Sequence, residues 1–277
     1  RDELPSLVGS WFISDTMQLR AGGARSLSYP VPVEISNTTF IDPDSRQRFQ
    51  GNPNLQPVVI DSYDLRWEWY PSNGEALTLG IFYKYLEDPI ERSFSAVAGG
   101  NQGDAVVTFV NAIEGEVYGV ELNTRMELGR LREWMDGPGW LDNMHFGANF
   151  TWQDSDVLLR SNTSATNLKR RMTGQPDTLT NVEFGYTGID HIVRIALGFT
   201  GERVINAGIQ GLPDEFIESR WSLGGKWSYT PIEPLTISLE VENLLNDEFQ
   251  RSLGPFLTRN YKEGVTASLA LQWRFGF

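Results

Sequence analysis

The only imidazoles in this 277-residue chain are His145 and His191, and there is no cysteine. A transition-metal centre built on them would need carboxylates as further ligands. Both histidines fall at the starts of predicted strands, where a ring at an interface is the plainer reading, so no metal site is predicted. Carboxylates pair at Asp42/Asp44, Asp154/Asp156 and Asp247/Glu248. Glycoside hydrolysis needs two carboxyl groups fixed across a cleft. These pairs lie in stretches predicted as exposed loops and read as solvated surface. Asp42-Pro43-Asp44 offers oxygen ligands of the kind that hold a hard cation such as calcium, but solvation is the preferred reading there too. The sequence has no Gly-x-Ser-x-Gly elbow and no phosphate-binding glycine loop; Gly137-Pro138-Gly139 reads as a turn. With no nucleophile–base constellation visible, neither an enzyme nor a cofactor is predicted.

Acidic side chains number 36 against 23 basic ones, for a formal charge of −13. That balance excludes nucleic acid as a partner, because phosphate binding needs clustered Lys and Arg. A 40% apolar content argues against disorder. No apolar run approaches the roughly 18 residues of a membrane-spanning helix. Arg1-Asp2-Glu3-Leu4-Pro5 has neither the basic nor the apolar part of a signal peptide. The chain is therefore expected to be cytoplasmic, or a processed or excised piece. The 27 Gly, 9 Trp, 9 Tyr and 15 Phe favour a third class, an outer-membrane β-barrel.

Period-two patterning supports that class, because a wall between lipid and water alternates apolar and polar side chains. Tyr63, Leu65, Trp67 and Trp69 share one face, opposite Asp64, Arg66 and Glu68. After the turn signal Pro71-Ser72-Asn73-Gly74, Leu77, Leu79, Ile81, Tyr83 and Tyr85 oppose Thr78, Gly80 and Lys84. The pattern recurs to the end, where Val265, Ala267, Leu269, Leu271, Trp273, Phe275 and Phe277 oppose Thr266, Ser268, Gln272 and Arg274. About eleven strands are predicted, most long enough to cross a bilayer when tilted. Short connections fall at Ser14–Thr16, Pro71–Gly74, Thr187–Asp190 and Thr230–Pro234. Long polar ones fall at 29–60, 87–114, 153–177, 201–218 and 243–262. Gly129–Asn143 breaks this rule, and Leu131–Met135 is predicted to form a helical turn within it.

Charges at alternate positions, namely Asp64, Arg66, Glu68, Glu121, Arg125, Glu183, Arg194, Glu240 and Arg274, would line a wet interior. A soluble β-sandwich that binds carbohydrate also alternates, with its apolar face turned inward. Long strands, loop lengths that alternate by rim, and Trp and Tyr near strand ends favour lipid instead.

Several motifs carry a family resemblance. They are Gly51-Asn52-Pro53-Asn54-Leu55-Gln56-Pro57 before Tyr63-Asp64-Leu65, Val110-Asn111-Ala112 before Val117-Tyr118-Gly119-Val120-Glu121-Leu122, Gly174-Gln175-Pro176-Asp177, and Glu242-Asn243-Leu244-Leu245-Asn246-Asp247-Glu248-Phe249. In order and spacing they resemble the C-terminal half of the β-barrel of TonB-dependent outer-membrane receptors. Val58-Val59 departs from the polar residue more usual in that family after the first motif.

The resemblance implies an antiparallel transmembrane barrel of roughly 22 strands, of which residues 1–277 supply about half. It implies a bacterial outer-membrane location and active import of a siderophore, cobalamin, oligosaccharide or similar ligand. Implied partners are outer-membrane lipid, a missing N-terminal barrel half and plug, the TonB energy-coupling complex acting through that absent part, and the barrel-assembly machinery. The lumen charges would meet the plug or the solute. Loop residues Tyr29, Arg46, Phe49, Phe94, Arg160, Phe216 and Arg259 are candidate ligand contacts. Leu271, Trp273, Phe275 and Phe277 resemble the terminal signal read by the assembly machinery, able to pair as an exposed strand. A plugless or multi-chain channel or assembly protein is a second reading.

Overall fold

The computed structural model describes residues 3–41, 48–96, 105–161 and 165–275. Eleven strands form one antiparallel meander. They are β1 Ser6–Phe12, β2 Met17–Ser28, β3 Val58–Trp69, β4 Ala76–Glu87, β5 Glu114–Glu127, β6 Met144–Leu158, β7 Thr178–Thr187, β8 His191–Thr200, β9 Arg220–Ile232, β10 Leu235–Glu242 and β11 Thr266–Trp273. Each pairs with the next in sequence order, and the two-residue strand Lys169–Arg170 adds a short ladder beside β6. No helix among the described residues is long and apolar enough to cross a membrane.

Register explains why the alternation was so regular. Leu19, Trp67, Leu79, Leu122 and Phe150 stand directly opposite one another across β2 to β6. Gln18, Glu68, Thr78, Asn123, Asn149 and Asn181 form the adjacent row on the other face. A slip of one residue would exchange these faces, so the rows are mutually reinforcing. The apolar face stays open: Leu79 is 47% exposed, Ile81 53% and Leu269 69%. No second sheet packs on it among the described residues, which is not the arrangement of a β-sandwich. The aromatics sort by height. Tyr63, Tyr83 and Tyr118 form one register row toward the long-loop rim. At the other rim His191 stacks 4.5 Å from Tyr229 and 6.0 Å from Trp227.

The buried core gathers at the long-loop rim, in the long connections and the strand ends that meet them. Phe49, Leu55, Val107 and Phe109 form one cluster, and Ala112, Val157 and Leu159 another. Two small four-stranded sheets organise these connections, where the sequence indicated only polar loops. One runs Thr39–Ile41, Arg48–Gln50, Ala105–Asn111, Ile90–Ala96, with a parallel pair at Phe49 and Val107. The other runs Arg203–Asn206, Glu215–Ile217, Glu248–Leu253, Phe256–Lys262. On the opposite rim the connections are short except for 128–143. Its helix spans Gly129–Met135, longer than the single turn expected, followed by a 3₁₀ turn at Gly139–Asn143. β6 extends to Leu158, so Asp154 and Asp156 sit on a strand and not in a loop.

Candidate functional site

The polar face of the sheet is the first candidate surface. Glu68 is 2% exposed and accepts from Gln18 and from the Tyr70 hydroxyl at 2.9 Å, with Arg20 at 3.8 Å. Arg66 faces Glu121 at 3.8 Å, Glu183 meets His145 at 3.4 Å, and Lys226 pairs with Glu240 at 3.0 Å. An amide ladder runs between them: Asn181 Nδ2 donates to Asn149 Oδ1 at 3.0 Å, and Asn123 Nδ2 to Thr78 Oγ1 at 3.5 Å. Two recesses open on this face. One of about 940 Å³ is lined by Arg125, His145, Glu183 and Arg194. The other, about 760 Å³, is lined by Asp64, Arg66, Lys84, Glu121 and Gln153. Phe82 lines the second, and Gly119 makes room for its ring: a Cβ at Gly119 would come within 2.7 Å of that ring and 2.4 Å of the Trp152 carbonyl. Arg274 lies just past β11, its backbone N–H donating to the Pro234 carbonyl at 2.7 Å.

The long-loop rim is the second candidate surface, and the motif residues hold it together. Asn111 Nδ2 donates to the Asp88 carbonyl at 2.7 Å and the Gln56 carbonyl at 3.0 Å, while its Oδ1 accepts from Gln56 N at 2.8 Å. Asn52 Nδ2 reaches the Phe109 carbonyl at 3.0 Å. Gly51 lies 2.6 Å, at its would-be Cβ, from the Glu34 and Ser36 backbone, an approach no side chain allows. Between 88–113 and 159–177 the tie is ionic: Arg170 donates to Glu91 at 2.8 Å, both side chains being almost wholly buried, and Thr173 Oγ1 adds a bond at 2.9 Å. Asn243 and Asn246 adopt left-handed φ of 54° and 47°, which Asn tolerates. From there they clasp Gly264, through its carbonyl at 2.6 Å and its N–H at 3.1 Å.

The candidate ligand contacts separate under this geometry. Tyr29 is 67% exposed. Phe49 is turned inward, stacked 5.4 Å from Phe40 in the core cluster. Arg160 donates to Asp88 at 2.7 Å and braces the loops. Phe216 is half-buried in its short strand. Arg259 lies 5.0 Å from the Tyr261 ring. Phe94 is in the Ile90–Ala96 strand. Arg46, the Asp42/Asp44 pair and Phe277 lie outside the described residues. Leu271, Trp273 and Phe275 are 71%, 51% and 77% exposed. Asp154 accepts from Arg171 at 3.2 Å, Asp156 meets Lys169 at 3.4 Å, and Asp247 accepts the Trp221 N–H at 2.8 Å, so both carboxylate pairs among the described residues have structural partners. No cluster of three or more potential metal ligands occurs among the described residues.

The amide ladder and the Arg170–Glu91 tie were missed in the sequence. The Asn residues repeat on the polar side of three predicted strands, which was a usable signal. The ionic tie joins residues far apart in sequence and left none.

A family model described as TonB dependent receptor-like, beta-barrel matches residues 1–244. The iron-regulated outer membrane virulence protein of Vibrio cholerae serotype O1 is 26% identical, over 76% of this chain and 35% of that protein. The chain thus spans about a third of the length of the curated relatives it matches. Among solved structures, the ferric enterobactin receptor PfeA of Pseudomonas aeruginosa, in complex with enterobactin, superposes with a TM-score of 0.63 at 19% identity, over 98% of this chain and 40% of that one. The siderophore receptor PirA of Acinetobacter baumannii gives 0.57 at 15%, over 88% and 37%. The copper transporter OprC gives 0.66 at 13%, over 98% and 39%. At these identities the likeness to solved structures is one of fold. Sheet, faces, rims and family match agree, and this chain belongs to the TonB-dependent receptor-like β-barrel family of bacterial outer-membrane proteins.

Proposed function

We propose that this chain is the C-terminal barrel part of a receptor that imports a ligand across the outer membrane by TonB-coupled transport, without catalysis. The observation that carries the reading is the eleven-stranded meander itself, apolar outside and polar inside, with one braced long-loop rim and one short-turn rim. The polar face then fronts a plug, and its paired charges, such as Arg66–Glu121 and Lys226–Glu240, are the groups a moving plug would re-pair with. The long-loop rim is the outward side, where the ligand is captured.

Closure of the barrel belongs to the same reading. β1 and β11 each present one edge without a strand partner among the described residues. Unpaired backbone groups in hydrocarbon cost several kcal/mol each, so spanning sheets close. Strands outside this sequence are therefore proposed to pair with both edges, and the exposed apolar side of β11 is proposed as the surface the assembly machinery engages.

The test is uptake of a radiolabelled ferric chelate by cells producing the full-length receptor that contains this chain. Uptake that stops when TonB is deleted or the inner-membrane proton gradient is collapsed supports the reading. Uptake that continues undiminished would mark a passive pore instead.

A further inference from the structure

At the short-turn rim, a histidine is built into the apolar face of the wall. His191 stands opposite Tyr229, and Val193, next on the same face of β8, stands opposite Trp227. The first row continues through Ile237 and Leu271, the second through Leu239 and Leu269. Directly opposed residues share a face, so the imidazole sits among apolar side chains. Its ring is tilted only 10° from the plane of Tyr229 and 18° from that of Trp227. Trp227 and Tyr229 are themselves within 10° of parallel, with centroids 6.0 Å apart.

One hydrogen bond fixes what this imidazole offers. Trp227 Nε1 meets His191 Nδ1 at 3.3 Å. An indole N–H can only donate, so Nδ1 accepts and carries no proton. The neutral ring then holds its proton on Nε2. That N–H has no acceptor among the described residues, and the Tyr229 hydroxyl has no partner there either. His191 is exposed and Tyr229 half-buried. The two turns beside the stack are tied together by the Thr230 N–H, which donates to the Asp190 carbonyl at 2.8 Å. They carry Asp190 and Glu233, neither of which forms an ion pair among the described residues. Next to Trp227 on the same face, Gly225 stands between Ile195 and Val241 and leaves a furrow in the apolar surface.

We propose that His191, Trp227 and Tyr229 form a binding site for one inner-leaflet phospholipid whose headgroup carries a primary ammonium. Its phosphate oxygens accept from the His191 Nε2–H and the Tyr229 hydroxyl. Its ammonium lies against the ring faces, which attract cations, with the unpaired carboxylates of Asp190 and Glu233 close by in the chain. An acyl chain follows the furrow at Gly225. The occupant is a lipid because the site is continuous with the lipid-facing wall. An anionic headgroup without an ammonium would meet the two carboxylates with nothing to offset the repulsion. An aromatic girdle alone needs only rings that are apolar at one end and wet at the other; it does not call for a donor oriented by a neighbouring ring. The assignment takes only its orientation from the import reading, with the long-loop rim outward and this rim at the inner leaflet.

The test is native mass spectrometry of the purified, delipidated full-length receptor in detergent micelles. Probes are phosphatidylethanolamine and phosphatidylglycerol with identical acyl chains, titrated separately. Phosphatidylethanolamine is expected to bind about fivefold tighter, the scale of one ammonium–ring contact. His191→Phe keeps a ring in the stack and removes the donor. Trp227→Phe keeps a ring and frees the imidazole from its hydrogen bond. Each is expected to weaken phosphatidylethanolamine about threefold or more, as the loss of one hydrogen bond would, and to shrink its preference over phosphatidylglycerol. Both variants keep an aromatic side chain on the apolar face, so neither strips the wall of an apolar contact. Phe184→Leu, elsewhere on that face, should change neither affinity. Equal affinity for the two lipids, or a phosphatidylethanolamine affinity indifferent to both His191→Phe and Trp227→Phe, would overturn the assignment and leave an ordinary girdle. Lipid binding in detergent needs no energy source. Selective binding without coupled uptake would therefore sink the import reading alone, and coupled uptake with lipid binding indifferent to headgroup would sink this one alone.

Discussion

At single side chains, the most consequential feature is a charge pair with almost no water around it. Glu91 and Arg170 are both nearly inaccessible, and Thr173 completes the carboxylate's hydrogen bonds. Removing one partner of such a pair leaves an uncompensated buried charge, at about 3–5 kcal/mol. Glu91→Ala should therefore open the connection around 168–173, seen as faster amide exchange there. Adding Arg170→Met should restore much of the protection, and a double variant as open as the single one would refute the pair's role. A second residue-level expectation concerns pH. The hydrogen bond from Arg220 outweighs desolvation and holds the Glu263 carboxyl below the usual glutamate value of 4.5. Gln250, Asn260 and Lys262 do the same for Glu248. A lowered folded value means stability that is complete above the unfolded value and lost as pH falls through the folded one. Protection of the 248–262 hairpin should thus decline below about pH 4.5, while β3 to β6 remain protected. A hairpin indifferent to pH in that window would contradict the assignment. Phe49 shows the limit of reading residues singly: an aromatic in a loop looked like a ligand contact, and the cluster it packs into is completed by Val107 and Phe109, more than fifty residues away.

Among the elements, the wall strands were legible because each side faces a single environment along its whole length. Trp67 and Glu68 could be placed on opposite faces from sequence alone, and register then aligned each with its like across β2 to β5. The loop sheets were not legible. Their strands are mostly three to seven residues long, too short for a period to declare itself. One of their pairings is parallel and joins Arg48–Gln50 to Ala105–Asn111. The wall makes a sharp prediction about adjacent residues. Leu122, midway between Tyr118 and Met126 on the apolar face of β5, should tolerate charge poorly. Leu122→Arg should cost about 2–4 kcal/mol in refolding of the full-length receptor into lipid vesicles. Asn123→Arg, one residue on, should cost far less. Equal penalties would mean that the two faces do not see different solvents.

For the whole molecule, the account is of a wall that is stable only as part of a closed surface. The buried clusters lie in the connections and, at Val157, the rim end of β6, so most of the sheet contributes little enclosed core of its own. The motifs that carried the family resemblance prove to be the braces of the long-loop rim: Asn52 and Asn111 tie one connection to another through side-chain amides, and Asn243 and Asn246 close the ends of a single connection on Gly264. The central claim is that Leu122 and its register row face lipid while Asn123 and its row face water. This chain contains no cysteine, so once any cysteine elsewhere in the full-length receptor is replaced, single cysteines can be placed at each position from Val120 to Arg125 and spin-labelled in native outer membrane. Collision with lipid-dissolved oxygen and with a water-soluble nickel chelate then reports each side. The account predicts a strict period of two, with Val120, Leu122 and Thr124 accessible to oxygen and Glu121, Asn123 and Arg125 not. Loss of that alternation, or its inversion, would contradict it.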